Sequence, residues 1–329
     1  MNIERIGVIG GGAWGTALAR VAATGGRETL LWAREPEVVD SINSLHENRL
    51  FLPGIPLHEA IRATTQLADL DSCDAWLLVT PAQHMRATLA AAPSCGRPLI
   101  LCAKGIEEGS GELLHKVALD TCRDARILVL SGPTFAHEVA AGLPTAVTLA
   151  CEDQALGEAV RQRIALPTFR TYATDDVAGA EVGGAVKNVL AIACGVVEGR
   201  GLGQNARAAL IARGFAEMTR FGLAMGARRE TLAGLSGFGD LVLTCSSTSS
   251  RNYSLGVGLG QSRAASELMA DRKTVAEGAF TAPVLHRLAQ SKGVDMPIVA
   301  AVAGLLSGEA TVDRVLESLL ARPSRAEHH

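Results

Sequence analysis

The sequence predicts an α/β protein in two parts: a doubly wound, mostly parallel sheet over residues 1–180, then an all-helical domain over residues 181–329. Three observations carry that expectation. Short, continuously apolar runs alternate with helix-like stretches through the first half. The strand pattern fades after about residue 180. A chain of 329 residues with 48% apolar content is long enough for two domains of ordinary size, each with its own core.

The strand runs come in order. Ile6–Ile9 is the first, followed by residues 29–33, 75–79, 98–102 and 126–130. Between them lie helix-like stretches such as 16–23, 37–45 and 111–118. Continuous apolar strands separated by helices indicate a parallel sheet covered on both faces. Thr145–Ala150 is expected to extend that sheet. Beyond it, residues 182–197 read as a long helix rich in small side chains, and residues 205–222 as another with Ala, Leu, Ile, Phe and Met at its apolar positions. Shorter helical patterns cover 264–269, 283–291 and 297–306. There is no internal repeat and no low-complexity linker.

Composition excludes several functions. Lys and Arg number 31 against 34 Asp and Glu, for a net charge of −3, where a general nucleic-acid or membrane-surface binder is usually basic. Aromatics are 4%, too few for base-stacking platforms. The seven cysteines include no C-x-x-C, and most sit in apolar runs. They read as reduced core residues of a cytoplasmic protein, without a disulfide or zinc framework. The N-terminus lacks a signal-peptide shape, and no uncharged apolar stretch approaches the roughly 18 residues of a membrane span.

Gly10-Gly-Gly12-Ala13-Trp14-Gly15 follows the first strand and opens a helix. This G-x-G-x-x-G has a physical logic. Gly10 permits the tight turn, Gly12 lets the backbone approach a pyrophosphate, and Gly15 lets helix and strand pack closely. The helix N-terminus then attracts the phosphate charge. The first domain is therefore expected to be of the Rossmann type and to bind a dinucleotide. Arg34 stands at the tip of the second strand, about 22 residues after Gly12. An arginine there suits the 2′-phosphate of NADP, whereas Glu35, one step on, would suit the ribose of NAD if it faced the nucleotide instead. NADP is preferred, with NAD possible.

Further blocks match a known pattern in order: residues 10–17 (GGGAWGTA), 103–107 (AKGIE), 131–136 (SGPTFA), 183–189 (GGAVKNV), 205–211 (NARAALI), 239–245 (GDLVLTC) and 250–252 (SRN). From about residue 6 to beyond residue 300 the chain closely resembles the bacterial-type NAD(P)-dependent glycerol-3-phosphate dehydrogenases. The resemblance implies a 6-phosphogluconate-dehydrogenase-like two-domain fold. It implies interconversion of dihydroxyacetone phosphate and sn-glycerol 3-phosphate, supplying phospholipid synthesis, with a phosphorylated triose as small-molecule substrate. Helical second domains of this kind often pair, so a homodimer is expected.

Reducing a ketone by hydride leaves negative charge on its oxygen, so a proton donor and nearby cations are needed, and the phosphate needs donors of its own. Lys187, in an apolar helix behind Gly183-Gly184, is costly to bury unless it faces a polar cleft. A snorkelling lysine is the bland alternative, and the resemblance implies the general acid/base. Lys104 follows a strand end, where open α/β sheets bind ligands. It could polarise the carbonyl, hold substrate or touch cofactor, or it could be a solvated loop charge. Ala103 stands before it where the family usually has Thr or Ser. Gly132 and Thr134 lie in a turn after another strand end and could donate to a substrate oxygen. A turn-forming Gly-Pro needs no function, and the resemblance implies substrate contacts there and a cofactor contact at Ala136. Asp240, near Lys187, would favour its ammonium form, or would act as a helix N-cap. Ser250, Arg251 and Asn252 read as an anion corner for the substrate phosphate, and the resemblance adds a cofactor contact at Arg251. Ala13, Trp14, Val275 and Glu277 match cofactor-contacting positions of the family. His84 and His137 stand alone and are read as non-catalytic. Where the family carries Ser-His after the strand-end proline, this chain has Ala82-Gln83. Two other functions fit the Gly loop: a related β-hydroxyacid dehydrogenase, against which the phosphate corner argues, and a non-catalytic NADPH sensor, against which the intact Lys187, Lys104 and Asp240 argue.

Overall fold

A computed structural model describes residues 3–92, 94–270 and 276–321. The first half alternates strand and helix: β1 (Ile6–Ile9), α1 (Ala13–Ala22), β2 (Thr29–Trp32), α2 (Pro36–Leu45), β3 (Glu47–Asn48), β4 (Leu52–Pro56), β5 (Ile61–Thr64), β6 (Ala75–Leu78), α3 (Met85–Ala90), β7 (Pro98–Leu101), α4 (Leu114–Thr121), β8 (Arg126–Ser131), α5 (Ala136–Ala140), β9 (Thr145–Ala150), α6 (Gln154–Ile164) and β10 (Phe169–Thr174). The second half is helical: α7 (Val177–Gly199), α8 (Gly203–Ala224), α9 (Arg229–Ala233), α10 (Asp240–Thr244), α11 (Arg251–Gly260), α12 (Ala265–Leu268), α13 (Glu277–Ser291), α14 (Pro297–Ser307) and α15 (Val312–Leu320).

Among the described residues, eight strands form one sheet in the order β10-β9-β8-β7-β6-β1-β2-β5, and β3 pairs with β4 in a small hairpin. From β5 to β8 all neighbours are parallel. β9 does extend the sheet, but it runs antiparallel to β8, and β10 follows β9 in parallel. Besides the β3–β4 hairpin, two strands eluded the sequence reading, β5 and β10. Each carries polar side chains between its buried ones, so neither shows the uninterrupted apolar run of a strand covered on both faces. Helix α13 begins at Glu277, well before Pro283, where a proline-initiated helix was expected; the helix continues through the proline.

Two apolar clusters cover the faces of the sheet, and a third fills the helical domain around α7. α7 is the one described helix long and apolar enough to cross a membrane by length and composition, and 94% of that window is buried inside the protein. One expectation fails. Cys95 and Cys122 form a disulfide, whereas Cys73, Cys102, Cys151, Cys194 and Cys245 are free and buried. Folding brings the loop before β7 against the end of α4, a proximity that a spacing of 27 residues does not reveal.

Candidate active site

The Gly loop closes as its sequence requires. Gly10 sits at φ +127°, and a Cβ there would meet the Val79 carbonyl at 3.0 Å. A Cβ on Gly15 would fall 1.8 Å from the Gly10 carbonyl oxygen, so strand and helix can touch only through glycine. Gly12 faces open space, and Ala13, Trp14 and Gly15 form the first turn of α1 behind it. That opening at a helix N-terminus fits a pyrophosphate. The loop has a support that the sequence reading missed: buried Asn48 of the hairpin donates to the Gly11 carbonyl at 2.8 Å and to Thr16 Oγ1 at 2.7 Å. Arg34 projects from the end of β2 with 79% of its side chain exposed. Its Nη2 lies 2.9 Å from Glu35 Oε1, so Glu35 binds the arginine, and the guanidinium keeps donors free for a 2′-phosphate.

The polar centre lies where β7, β8, α7 and α10 converge. Asp240 is fully buried and shared by two lysines. Lys187 Nζ reaches its Oδ1 at 2.6 Å, and Lys104 Nζ reaches its Oδ2 at 2.6 Å. Lys187 also donates to Thr244 Oγ1 at 2.8 Å, and Lys104 to the Gly132 carbonyl at 3.1 Å. A π-helical turn, Leu235–Gly239, delivers Asp240 to this position as the first residue of α10. Gly183 allows the approach, since a Cβ there would stand 2.3 Å from the Ser236 carbonyl oxygen.

Burial lowers the Lys187 pKa to about 8; Asp240 opposes the shift and the Lys104 charge adds to it. Asp240 favours the ammonium form, as expected, while desolvation leaves the net pKa below the ordinary lysine value.

Gly132 and Thr134 occupy the turn after β8, where Thr134 Oγ1 donates to the Gly132 carbonyl at 3.3 Å. Ala136 opens α5 on the same side. Ser250 caps α11, its Oγ accepting from the Tyr253 amide at 3.2 Å. Asn252 is largely committed inside the protein: its Nδ2 donates to Asn188 Oδ1 at 3.0 Å, and its Oδ1 accepts from the Gly278 amide at 2.9 Å. Arg251, exposed beside them, is an available cation at that corner. Glu277 joins the cleft. Burial raises its carboxyl pKa, while Arg251, Lys104 and Lys187 pull it down. Val275 lies outside the described residues. Gln83, at the Ser-His position of the family pattern, bridges the Ile106 carbonyl and the Glu108 amide at 2.8 Å each. His137 is not alone as expected; it lies 3.9 Å from Glu138 and stacks on Phe135. Thr244, which binds both Lys187 and Asp240, was not singled out from sequence, although it stands one turn after Asp240 on the same helix.

A Gly-rich strand-to-helix turn on a mostly parallel sheet, and a lysine–carboxylate–lysine cluster between that sheet and a helical domain, define a two-domain nicotinamide-dependent dehydrogenase. Residues 5–157 and 176–317 match the N-terminal and C-terminal parts of the family described as NAD-dependent glycerol-3-phosphate dehydrogenase. The chain is 63% identical over 323 residues to the glycerol-3-phosphate dehydrogenase, NAD(P)+, of Erythrobacter litoralis, covering 98% of each chain. It is 57% identical over 330 residues to that of Caulobacter vibrioides, covering 99% of this chain and all of the other. The crystal structure of glycerol-3-phosphate dehydrogenase from Coxiella burnetii superposes with a TM-score of 0.92 at 36% identity, over 97% of this chain and 99% of that one. The chain belongs to the NAD(P)-dependent glycerol-3-phosphate dehydrogenase family.

Proposed function

We propose that this enzyme reduces dihydroxyacetone phosphate to sn-glycerol 3-phosphate, and runs the reverse oxidation, with Lys187 as the general acid/base. The observation that carries the reading is the sharing of one buried carboxylate by two ammonium groups, one from each domain. A bound nicotinamide supplies or accepts the hydride at the carbinol carbon. Lys187 Nζ gives its proton to the ketone oxygen as charge develops there, and becomes a neutral amine. Lys104 lends positive charge to the same oxygen, and Asp240 orients both amines. In the oxidation Lys187 takes the hydroxyl proton back. Arg251, with Ser250 and Asn252 shaping its corner, would hold the substrate phosphate, and the Gly132–Thr134 turn a substrate oxygen. Gly10, Gly12, Ala13, Trp14, Gly15, Arg34, Ala136 and Glu277 would hold the cofactor, with NADP preferred over NAD through Arg34.

Purified protein mixed with NADPH and dihydroxyacetone phosphate should lose nicotinamide absorbance, and absence of substrate-dependent oxidation would defeat the proposal. Equal rates on a non-phosphorylated hydroxyacid would instead favour a β-hydroxyacid dehydrogenase. We also propose a homodimer formed through the helical domain, where Leu202, Leu223, Phe238 and Val242 leave large apolar side chains exposed. Light scattering that returns a monomer mass at micromolar concentration would overturn it. A cytoplasmic location, with the product feeding phospholipid synthesis, fits a reduced nicotinamide donor and would be tested by cell fractionation.

A further inference from the structure

The loop that carries Lys104 does not end at the sheet. Residues 106–113 fold back on themselves: Ile106 and Leu113 pair in an antiparallel bridge, and the Glu107 amide donates to the Glu112 carbonyl at 3.1 Å. Ile106 and Leu113 are both buried, and they pack in the core of the helical domain although they belong to the sheet domain by sequence. Where the hairpin runs into α4, Glu181 of α7 receives it. Glu181 Oε1 accepts from the His115 amide at 2.8 Å, and Oε2 meets His115 Nδ1 at 2.5 Å. Glu181 is itself nine-tenths buried.

Along α7, Glu181, Gly184 and Asn188 recur at helical spacing on one face. A Cβ on Gly184 would lie 3.1 Å from Lys104 Cγ, so this face runs alongside the Lys104 stem. Lys187 is less than two turns from Glu181. One end of the hairpin carries Lys104 and the other is tied to the helix that carries Lys187, and both lysines must reach the same carboxylate within 2.6 Å.

We propose that Glu181 is a positioning residue: by gripping His115 it fixes α7 against the sheet domain, so that Lys187 meets the ketone that lies over the nicotinamide. Nothing about the grip requires the substrate, and the inference rests on the role given to Lys187 above. Glutamine can reproduce the grip, with its carbonyl accepting from the His115 amide and its NH₂ donating to Nδ1. Alanine cannot.

The test compares Glu181→Ala and Glu181→Gln in the intact enzyme. For Glu181→Ala we expect kcat to fall roughly 10- to 100-fold, as for misplacement by a fraction of an ångström to one ångström, with the NADPH Kd unchanged. The kinetic isotope effect on kcat with NADPH deuterated at the transferred position should rise, because the chemical step becomes limiting. Glu181→Gln should restore both kcat and isotope effect. A Glu181→Ala enzyme with normal kcat, or a Glu181→Gln enzyme as slow as the alanine variant, overturns the proposal. If Glu181→Ala does not fold, His115→Ala keeps the backbone bond and should still lower kcat and raise the isotope effect; no change in either is equally fatal. Wild-type protein inactive on dihydroxyacetone phosphate would defeat the assigned reaction, whereas an active wild type with indifferent variants defeats the positioning role alone.

Discussion

Lys187 holds its proton loosely because it is buried and faces a second ammonium group, and its pKa falls from 10.5 to about 8. The consequence is a pH dependence with a definite sign. With Lys187 as the proposed general acid, ketone reduction draws on the ammonium form, so its kcat/KM should decline as pH rises through about 8. Alcohol oxidation needs the free amine and should decline as pH drops through the same range. Profiles in both directions check this, and a reduction rate flat from pH 6 to about 10 would remove Lys187 from the proton path. Asp240→Asn removes the charge that supports the ammonium, so the reductive limb should move below about 8. Lys187→Ala should lower turnover by roughly 10²–10⁴-fold while NADPH binding, measured by fluorescence titration, survives. Arg34→Ala should weaken NADPH by about 1.5–3 kcal/mol, the worth of hydrogen bonds to a charged group, and leave NADH nearly untouched. Equal losses for both cofactors would release Arg34 from any reading of the 2′-phosphate.

At the scale of elements, the helical domain is joined by close backbone contact and by one unusual cap. α7 and α11 cross through glycines: a Cβ on Gly256 would lie 2.0 Å from the Ile192 carbonyl oxygen. Gly256→Ala should therefore cost about 1–3 kcal/mol, the range for overpacking a tight interface, read by chemical denaturation. α14 starts at Pro297 with no side-chain cap of its own. Glu217 of α8 supplies one, accepting from the Ile298 amide at 2.8 Å and the Val299 amide at 3.2 Å. Burial nevertheless lifts its carboxyl pKa from 4.5 to about 7. A carboxyl whose pKa is raised on folding binds its proton better in the native state. Its contribution is fully present below about 4.5 and is lost as pH rises through about 7. The swing is about 3 kcal/mol in order of magnitude. Glu217→Gln should flatten the fall in melting temperature between pH 5 and about 8, and an unchanged slope would exclude Glu217 as its source.

For the whole molecule, the insertion of Ile106 and Leu113 into the helical core couples the two domains. One cooperative unfolding transition is expected in calorimetry. NADPH at about 100 times its Kd should raise the stability of that single transition by about 2.7 kcal/mol, although the residues proposed to hold it lie chiefly in the sheet domain. Two resolved transitions, with only one shifted by NADPH, would show the domains to be independent. A cavity of about 680 Å³ lies at the opposite end of the strands, before β1, β2 and β6, lined by Arg5, Arg27 and Arg163 among Glu4, Glu28 and Asp74. Its charges balance, and it is remote from the lysine pair.

Local chemistry made much of this legible in advance. Ile6–Ile9 followed by three spaced glycines specifies a strand, a tight turn and a helix whatever the rest of the chain does, because the steric demand is confined to neighbours. Lys187 in an apolar helix announced a cleft for the same reason: an ammonium group cannot be buried without partners. What only the tertiary structure decided is which distant groups meet. The reversal of β9, the Cys95–Cys122 bond, the Asn48 brace, the two lysines on Asp240 and the Glu181 grip on His115 all join residues far apart along the chain. The depressed Lys187 pKa belongs with them, since desolvation is a property of packed surroundings and no single residue encodes it.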